Sequence, residues 1–424
     1  MIPVTDYIKR NVYVRKVQSS LASQKFLQAF KDLNIDDPKL CIFHVLIKYP
    51  QWEKDINLFQ FLRKKNLKQL RKDPKTFFLF DASTEGFSTI YGNTPFYDVL
   101  YHSCKVNDVS PKKVILVTSN MVEEKNLVRY NFNHDIKESI HVASFHNFEQ
   151  MLFNLKVETL PIPGLAEKEL NKRINNTFLT TVKNKQRYYY GEKHFLSLSR
   201  VNRPHRTLSA FELFHSKISA HGLISHDRIK KPEHYCQETQ KIQGSEGLLS
   251  AKVLKKFNQH LPLIIDTEDF KTNHAMSLSP HLHNSTLFQV VGETLAEDWD
   301  NTSRFWSEKT FRSIFHMQPF LIWGQKNANK NLQDYGYKLY DKMFDYSFDS
   351  ESNTYKRWTM IKGEIESAVA RLNKMTGEDK LLWCFQQQDV LKHNYKIMYR
   401  EEYTKEVFQK LAFTLVQQSK DNVE

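Results

Sequence analysis

Hydrophobic positions along the chain change period several times, and the changes mark the elements. Residues 39–48 (KLCIFHVLIK), 76–80 (TFFLF), 114–118 (VILVT) and 140–144 (IHVAS) are short apolar or β-branched runs bounded by polar residues, the pattern of buried strands. Residues 195–199, 287–291 and 320–323 repeat it, and 337–340 reads as a further short strand. Between these runs the period lengthens. Ile56, Phe59, Leu62, Leu67 and Leu70 line one side of an amphipathic helix expected over 51–75. Further helices are expected from Pro95 to 104, over 147–155, over 166–185, and after Arg206, where Leu208, Phe211, Phe214 and Ile218 turn inward and Gly222 follows the end. Ser307 is a good N-cap, with Trp306 and Phe311 spaced as a hydrophobic staple. Phe311, Ile314 and Phe315 then form a buried face that Pro319 ends. Residues 360–418 read as three helical stretches. Strands alternating with helices predict parallel sheets covered on both faces. Pro161, Pro163 and Gly164 interrupt the pattern, giving a first α/β domain over 1–160 and a connector over 161–192. A second α/β domain spans 193–358, with an irregular insertion over 224–284, and C-terminal helices occupy 359–424.

Composition narrows the class. The chain has 424 residues, 40% hydrophobic and 13% aromatic, which indicates ordered globular domains. Residues 1–17 lack the apolar core of a secretory signal, and no apolar run approaches the length of a bilayer span. Cys41, Cys104, Cys236 and Cys384 are far apart without metal or disulfide spacing, so a cytoplasmic protein in a reducing interior is expected. The net charge of +13 favours phosphate-rich partners, although lysine-rich faces are often merely solvated. Arg63, Lys64, Lys65, Lys68, Arg71 and Lys72 occupy the polar side of the 51–75 helix. They form either such a solvated face or a groove wall for a polyanion such as DNA. Residues 186–190 (QRYYY) are either a base-stacking patch or an ordinary interdomain surface. His274, His281 and His283 complete no metal set, and Asp341, Asp345 and Asp349, spaced to share a helical face, suit capping or pairing with Arg357 as well as a cation. No metal is expected.

Candidate chemistry collects at predicted strand ends. Glu293 follows the strand over 287–291, and Lys309 lies in the first turn of the next helix, where the dipole already favours negative charge. Such a local conflict is expected where a residue serves a ligand, and a helix N-terminus with an added lysine suits a phosphate. Arg200, Asn202 and Arg203, with Arg206 beyond, lie between a strand end and a helix start, a natural diphosphate clamp. In the first half, Asp81 and Glu85 follow a strand among small residues, placing two carboxylates where a general base could act.

The order strand, Glu293, variable loop, Ser307-Glu308-Lys309-Thr310-Phe311, helix, then Pro319-Phe320-Leu321-Ile322 and Gly324 resembles the donor-binding half of the two-domain (GT-B type) glycosyltransferases. It is most similar to the fucosyltransferase-like and exostosin-like groups and their phage-encoded relatives. In those families a Glu after one strand and an [ST]-E-K-x-[FW] motif contact the nucleotide sugar. The resemblance covers residues 195–357 and is only architectural elsewhere. It implies two Rossmann-like α/β domains facing a central cleft, with C-terminal helices packing back across them. It also implies a UDP- or GDP-sugar as co-substrate with no obligatory cofactor. Arg200, Asn202, Arg203, Glu293, Ser307, Glu308 and Lys309 are then donor-binding, and Asp81 or Glu85 is the base on the acceptor side. The acceptor stays open between a hydroxymethylated base in DNA, with Arg63, Lys64, Lys68 and Arg71 contacting the nucleic acid, and a surface glycan or protein. A non-enzymatic nucleic-acid-binding protein of the same fold is the competing class.

Overall fold

The computed structural model describes residues 12–13, 21–34, 39–45, 56–83, 86, 89–90, 95–149, 151, 167–199, 201–265, 280–297, 302–398 and 402–421. Two compact units divide the chain. The first comprises Met1–Met151, Trp299–Phe305 and Arg400–Glu424; the second comprises Leu152–Asp298 and Trp306–Tyr399. Both are α/β with parallel strands.

In the first unit, strands β1 (Val12–Tyr13), β2 (Lys39–Val45), β3 (Thr76–Ala82), β4 (Val114–Thr118) and β5 (His141–Ser144) lie in sequence order. β1 is antiparallel at the edge and the rest are parallel. Right-handed crossovers in a sheet of that order all fall on one face, and the packing shows the result. Phe78, Phe80, Val114 and Leu116 pack with Leu70 of α2 (Lys64–Lys72), with Phe96, Tyr97 and Leu100 of α3 (Phe96–Val106), and with Leu127 and Tyr130 of α4 (Glu123–Asn133). The alternate residues Phe77, Leu79, Ile115, Val117 and Ala143 face the other way. They are covered by Phe26 and Phe30 of α1 (Leu21–Asp32) and by Phe408, Leu411 and Leu415 of the last helix.

The second unit has β6 (Phe195–Ser199), β7 (Gly222–His226), β8 (Phe288–Gly292) and β9 (Phe320–Trp323), all parallel, in the order β7-β6-β8-β9. The chain therefore leaves β6 toward one side and returns to its other side with β8, so the order reverses between β6 and β8. Helix α5 (Glu167–Tyr188) precedes the sheet, and α6 (Pro204–His215) follows β6. After β7 come α7 (Pro232–Gln240), α8 (Ala251–Asn258) and α9 (Pro280–Asn284). Helix α10 (Glu308–Phe315) links β8 to β9, and α11 (Ala328–Asp334), α12 (Thr354–Leu372), α13 (Gly377–Phe385) and α14 (Gln388–Ile397) complete the unit.

Several expectations are corrected. The 51–75 helix is shorter: a 3-10 turn at Leu58–Phe61 is capped by Asn57, and extended backbone at Leu62 and Arg63 separates it from α2. Residues 224–265 hold two helices rather than a loop-rich insertion, and 266–279 lie outside the described residues. Residues 337–340 form no strand, and 341–343 form a turn before a 3-10 helix at Ser347–Ser350, so no α-helical face carries the three aspartates. Asp349 instead caps α11, accepting from the Asn329 and Lys330 amides. The connector helix belongs to the second unit, and only α12, α13 and α14 of the C-terminal helices do. The last, α15 (Glu402–Asp421), belongs to the first unit.

Phe408 is fully buried, with edge-on ring contacts to Phe26 and Phe145. Phe408→Ala is expected to destabilise the first unit by about 3–5 kcal/mol, read from the urea midpoint. A loss under about 1 kcal/mol would remove α15 from the core.

Candidate functional site

The carboxyl end of a parallel sheet at a reversal of strand order is where α/β folds open a crevice for ligands. In the second unit that point lies between Ser199 of β6 and Gly292 of β8, and the residues beyond both strands are concentrated chemistry. Glu293 follows β8 directly, held by its amide donating to the Trp323 carbonyl (2.9 Å). Its carboxylate is 1% exposed. It accepts from the Ser307 amide (3.1 and 3.2 Å), the Ser307 hydroxyl (2.6 Å), the Thr310 hydroxyl (2.5 Å) and the Thr294 amide (2.9 Å). Ser307 is the N-cap of α10, as its sequence position predicts, and its Oγ also accepts from the Lys309 amide (3.4 Å) and Nζ (3.3 Å). With both oxygens engaged by protein donors, the Glu293 carboxylate seats the start of α10.

The other side of the same residue secures α6. The Glu293 carbonyl accepts from His205 Nε2 (2.8 Å) and from Arg206 Nε (3.2 Å) and Nη2 (3.0 Å); Arg206 also donates to the Gly292 carbonyl (3.1 Å) and the Thr294 hydroxyl (3.3 Å). Burial, then the Arg206 charge, push His205 well below the usual imidazole range, so it is a neutral donor. Two helix N-termini thus start beside one strand end. Arg203, the N-cap of α6, is partly exposed. Lys309 pairs with Glu308 at 2.5 Å, their side chains 14% and 12% exposed. Burial draws the Lys309 ammonium below the ordinary lysine value against the pull of Glu308. Burial also works to raise the Glu308 carboxyl, yet the charges of Lys309, Arg312 and Arg206 leave it below its usual value. Among the described residues, the four cations Arg203, Arg206, Lys309 and Arg312 stand with the two carboxylates Glu293 and Glu308. An anion with more than one charge matches that excess, backed by the positive ends of both helices.

The remaining predicted residues are placed as follows. Asn202 is bound through its side-chain amide to the Arg228 carbonyl (2.7 Å), and its own carbonyl accepts from Tyr235 (2.6 Å), which pins the loop after β6 to the loop after β7. Arg200 and Glu85 lie outside the described residues. Asp81 is 0% exposed, on the sheet face covered by α1 and α15, and one of its oxygens accepts from the Ser83 amide (3.0 Å). It is enclosed, not presented to an acceptor, because period-two alternation sets it in line with Phe77 and Leu79. Among the described residues, the parallel strands of the first unit run in sequence order without a reversal of the kind found beside Glu293. Arg63, Lys64, Lys68 and Arg71 are exposed on or beside α2. Tyr189 is buried against His194, leaving Tyr188 and Tyr190 exposed. His281 is exposed, whereas His283 is buried and stacked on His316 at 4.0 Å; His274 lies outside the described residues.

Glu123, in the first unit, was not singled out by the sequence, although Asn120 and Asn126 at three-residue spacing on either side signal it. It is fully buried and accepts from Thr89, from the Tyr97 hydroxyl (2.5 Å) and from the side chains of Asn120 (2.7 Å) and Asn126 (3.3 Å). The same two asparagines donate to the Thr302 carbonyl (2.9 and 2.7 Å). Burial lifts this carboxyl to about 7.

No family model, curated protein or solved structure matches the chain.

Glu293→Gln sets an amide among donors and is expected to cost about 2–3 kcal/mol in urea unfolding. No measurable loss would mean that the carboxylate does not organise this end of the sheet. Glu123 is raised above its unfolded value, so its contribution is complete below about pH 4.5 and lost as pH rises through about 7. Stability should therefore decline from pH 5 to 7.5 more steeply in the wild type than in Glu123→Gln; parallel profiles would refute this.

Proposed function

We propose that the second unit binds a nucleoside-diphosphate sugar at the reversal of its sheet and that the chain is a nucleotide-sugar-dependent glycosyltransferase of the two-domain, Rossmann-like type. The observation that carries this reading is the net positive cluster around Glu293, built from the residues whose order resembles the donor-binding motif of those enzymes. Arg203 and Lys309, both partly exposed, take the diphosphate of a UDP- or GDP-sugar. Arg206 and Glu293 act as positioning residues: the first is bonded to carbonyls at the end of β8, the second seats the α10 cap. Glu308 orients the Lys309 ammonium through their ion pair.

The chemistry follows from charge. Transfer breaks the bond between the sugar's anomeric carbon and the β-phosphate oxygen, and the electron pair leaves with the diphosphate. A new bond forms from that carbon to an acceptor hydroxyl, whose proton passes to a base. The departing negative charge is the largest that develops, and fixed cations away from bulk water stabilise it most. Ion pairs and helix amides supply this without a metal. Asp81, enclosed in its core, is not assigned as the base.

Calorimetry of the full chain with UDP, GDP and their sugars, against inorganic sulfate as control, tests the reading. One nucleotide class is expected to bind selectively, and Arg203→Ala and Lys309→Ala should each weaken it about 10- to 100-fold, the loss of one charged hydrogen bond. Affinity should also fall as pH rises, at a pH below that of an ordinary lysine, since the ammonium is the binding form and burial lowers it. Lys309→Arg should flatten this profile. Absence of nucleotide binding at millimolar concentration, or affinity indifferent to both alanine variants, would overturn the assignment.

A further inference from the structure

We infer that the outer face of α2 in the first unit is a docking surface for the phosphate backbone of duplex nucleic acid. The helix and its N-cap carry Arg63, Lys64, Lys65, Lys68, Arg71 and Lys72, all exposed. At about 100° per residue, Lys64, Lys65, Lys68, Arg71 and Lys72 fall within a sector of roughly 120°. Leu70 is fully buried on the opposite side and Leu67 packs beside it. The sector is therefore purely cationic, and it is fixed in direction by the core beneath.

Among the described residues none of the six makes an ion pair. The adjacent carboxylate, Asp73, is engaged by the Lys75 amide (3.0 Å) and the Thr76 hydroxyl (2.8 Å). Arg71 Nε donates to the Asn107 carbonyl (2.5 Å), and Lys113 Nζ closes the helix end on the Leu70 and Asp73 carbonyls (2.8 Å each). The end of α2 is thereby tied to the neighbouring loops. Three cations at or just before the helix N-terminus oppose the dipole, a local cost that an external anion would remove.

Geometry favours a nucleic acid over a membrane surface. From Lys64 to Lys72 the helix rises about 12 Å, the axial rise of roughly three to four nucleotides of one strand. A helix that binds lipid inserts an apolar face beside its lysines. Here the leucines of 62–75 are Leu62, Leu67 and Leu70, which are buried or partly buried, and none is exposed. The inference does not rest on the nucleotide-sugar reading. The calorimetric test above is indifferent to α2, so either can fail alone.

The test is fluorescence anisotropy of the full chain with a labelled 20-base-pair DNA duplex of mixed sequence, titrated at several salt concentrations. The quadruple variant Lys64→Gln, Lys65→Gln, Lys68→Gln and Lys72→Gln keeps helix propensity and touches no buried contact. A control removes four exposed charges from α5: Lys168→Gln, Lys172→Gln, Lys183→Gln and Arg187→Gln. The wild type is expected to bind the duplex with log affinity falling linearly in log salt. The α2 variant should lose at least tenfold in affinity, and its salt slope should shrink by about 3. The α5 control should stay within about twofold of wild type. Equal losses in both variants would reduce the effect to net charge and overturn the inference. Failure of the wild type to bind at low salt would do the same. So would tighter binding to vesicles containing phosphatidylserine than to the duplex.

Discussion

Glu293 joins two helix starts to one strand end, and the second unit's site depends on that junction. Its carboxylate holds Ser307 and Thr310 at the head of α10, while its carbonyl holds His205 and Arg206 in the first turn of α6. A buried carboxylate is tolerated only when donors surround it, and here they come from the segments that must be fixed. The same arrangement brings arginine and lysine together without collapse, because negative charge and carbonyl dipoles are interleaved among them. Charge excess, rather than any single residue, is what the site offers a ligand.

The two units show how connection order decides where chemistry can gather. In the second, the strand order reverses between β6 and β8, the point at which the loops of a parallel sheet diverge. In the first, the parallel strands follow one another in sequence, and their ends are packed: Asp81 is enclosed, and Glu123 is caged by Thr89, Tyr97 and two asparagines. A run of exposed cations in that unit lies on α2.

Much of the fold was legible because burial leaves a short-range imprint. Runs such as VILVT and FLIW are strands at the expected positions, and Ser307 is the cap its spacing foretells. What escaped depends on long-range partners. Arg206 reads as one more cation of a clamp until its carbonyl acceptors beyond β8 are seen. Glu293 reads as a ligand contact until five hydrogen bonds from Thr294, Ser307 and Thr310 account for its oxygens. Residues 341–349 keep a four-residue spacing of aspartates without an α-helix: Asp349 sits in a 3-10 turn and caps α11. Cap chemistry operates across gaps that a local period cannot register.

Helix α15 completes a face of the first unit's sheet that β3, β4 and β5 open more than two hundred residues earlier. During synthesis at about 5–20 residues per second, that face waits roughly ten to fifty seconds for its cover. The second unit has by then left the ribosome almost entire. The usual order of vectorial folding is inverted: the half that is translated first is the half that matures last.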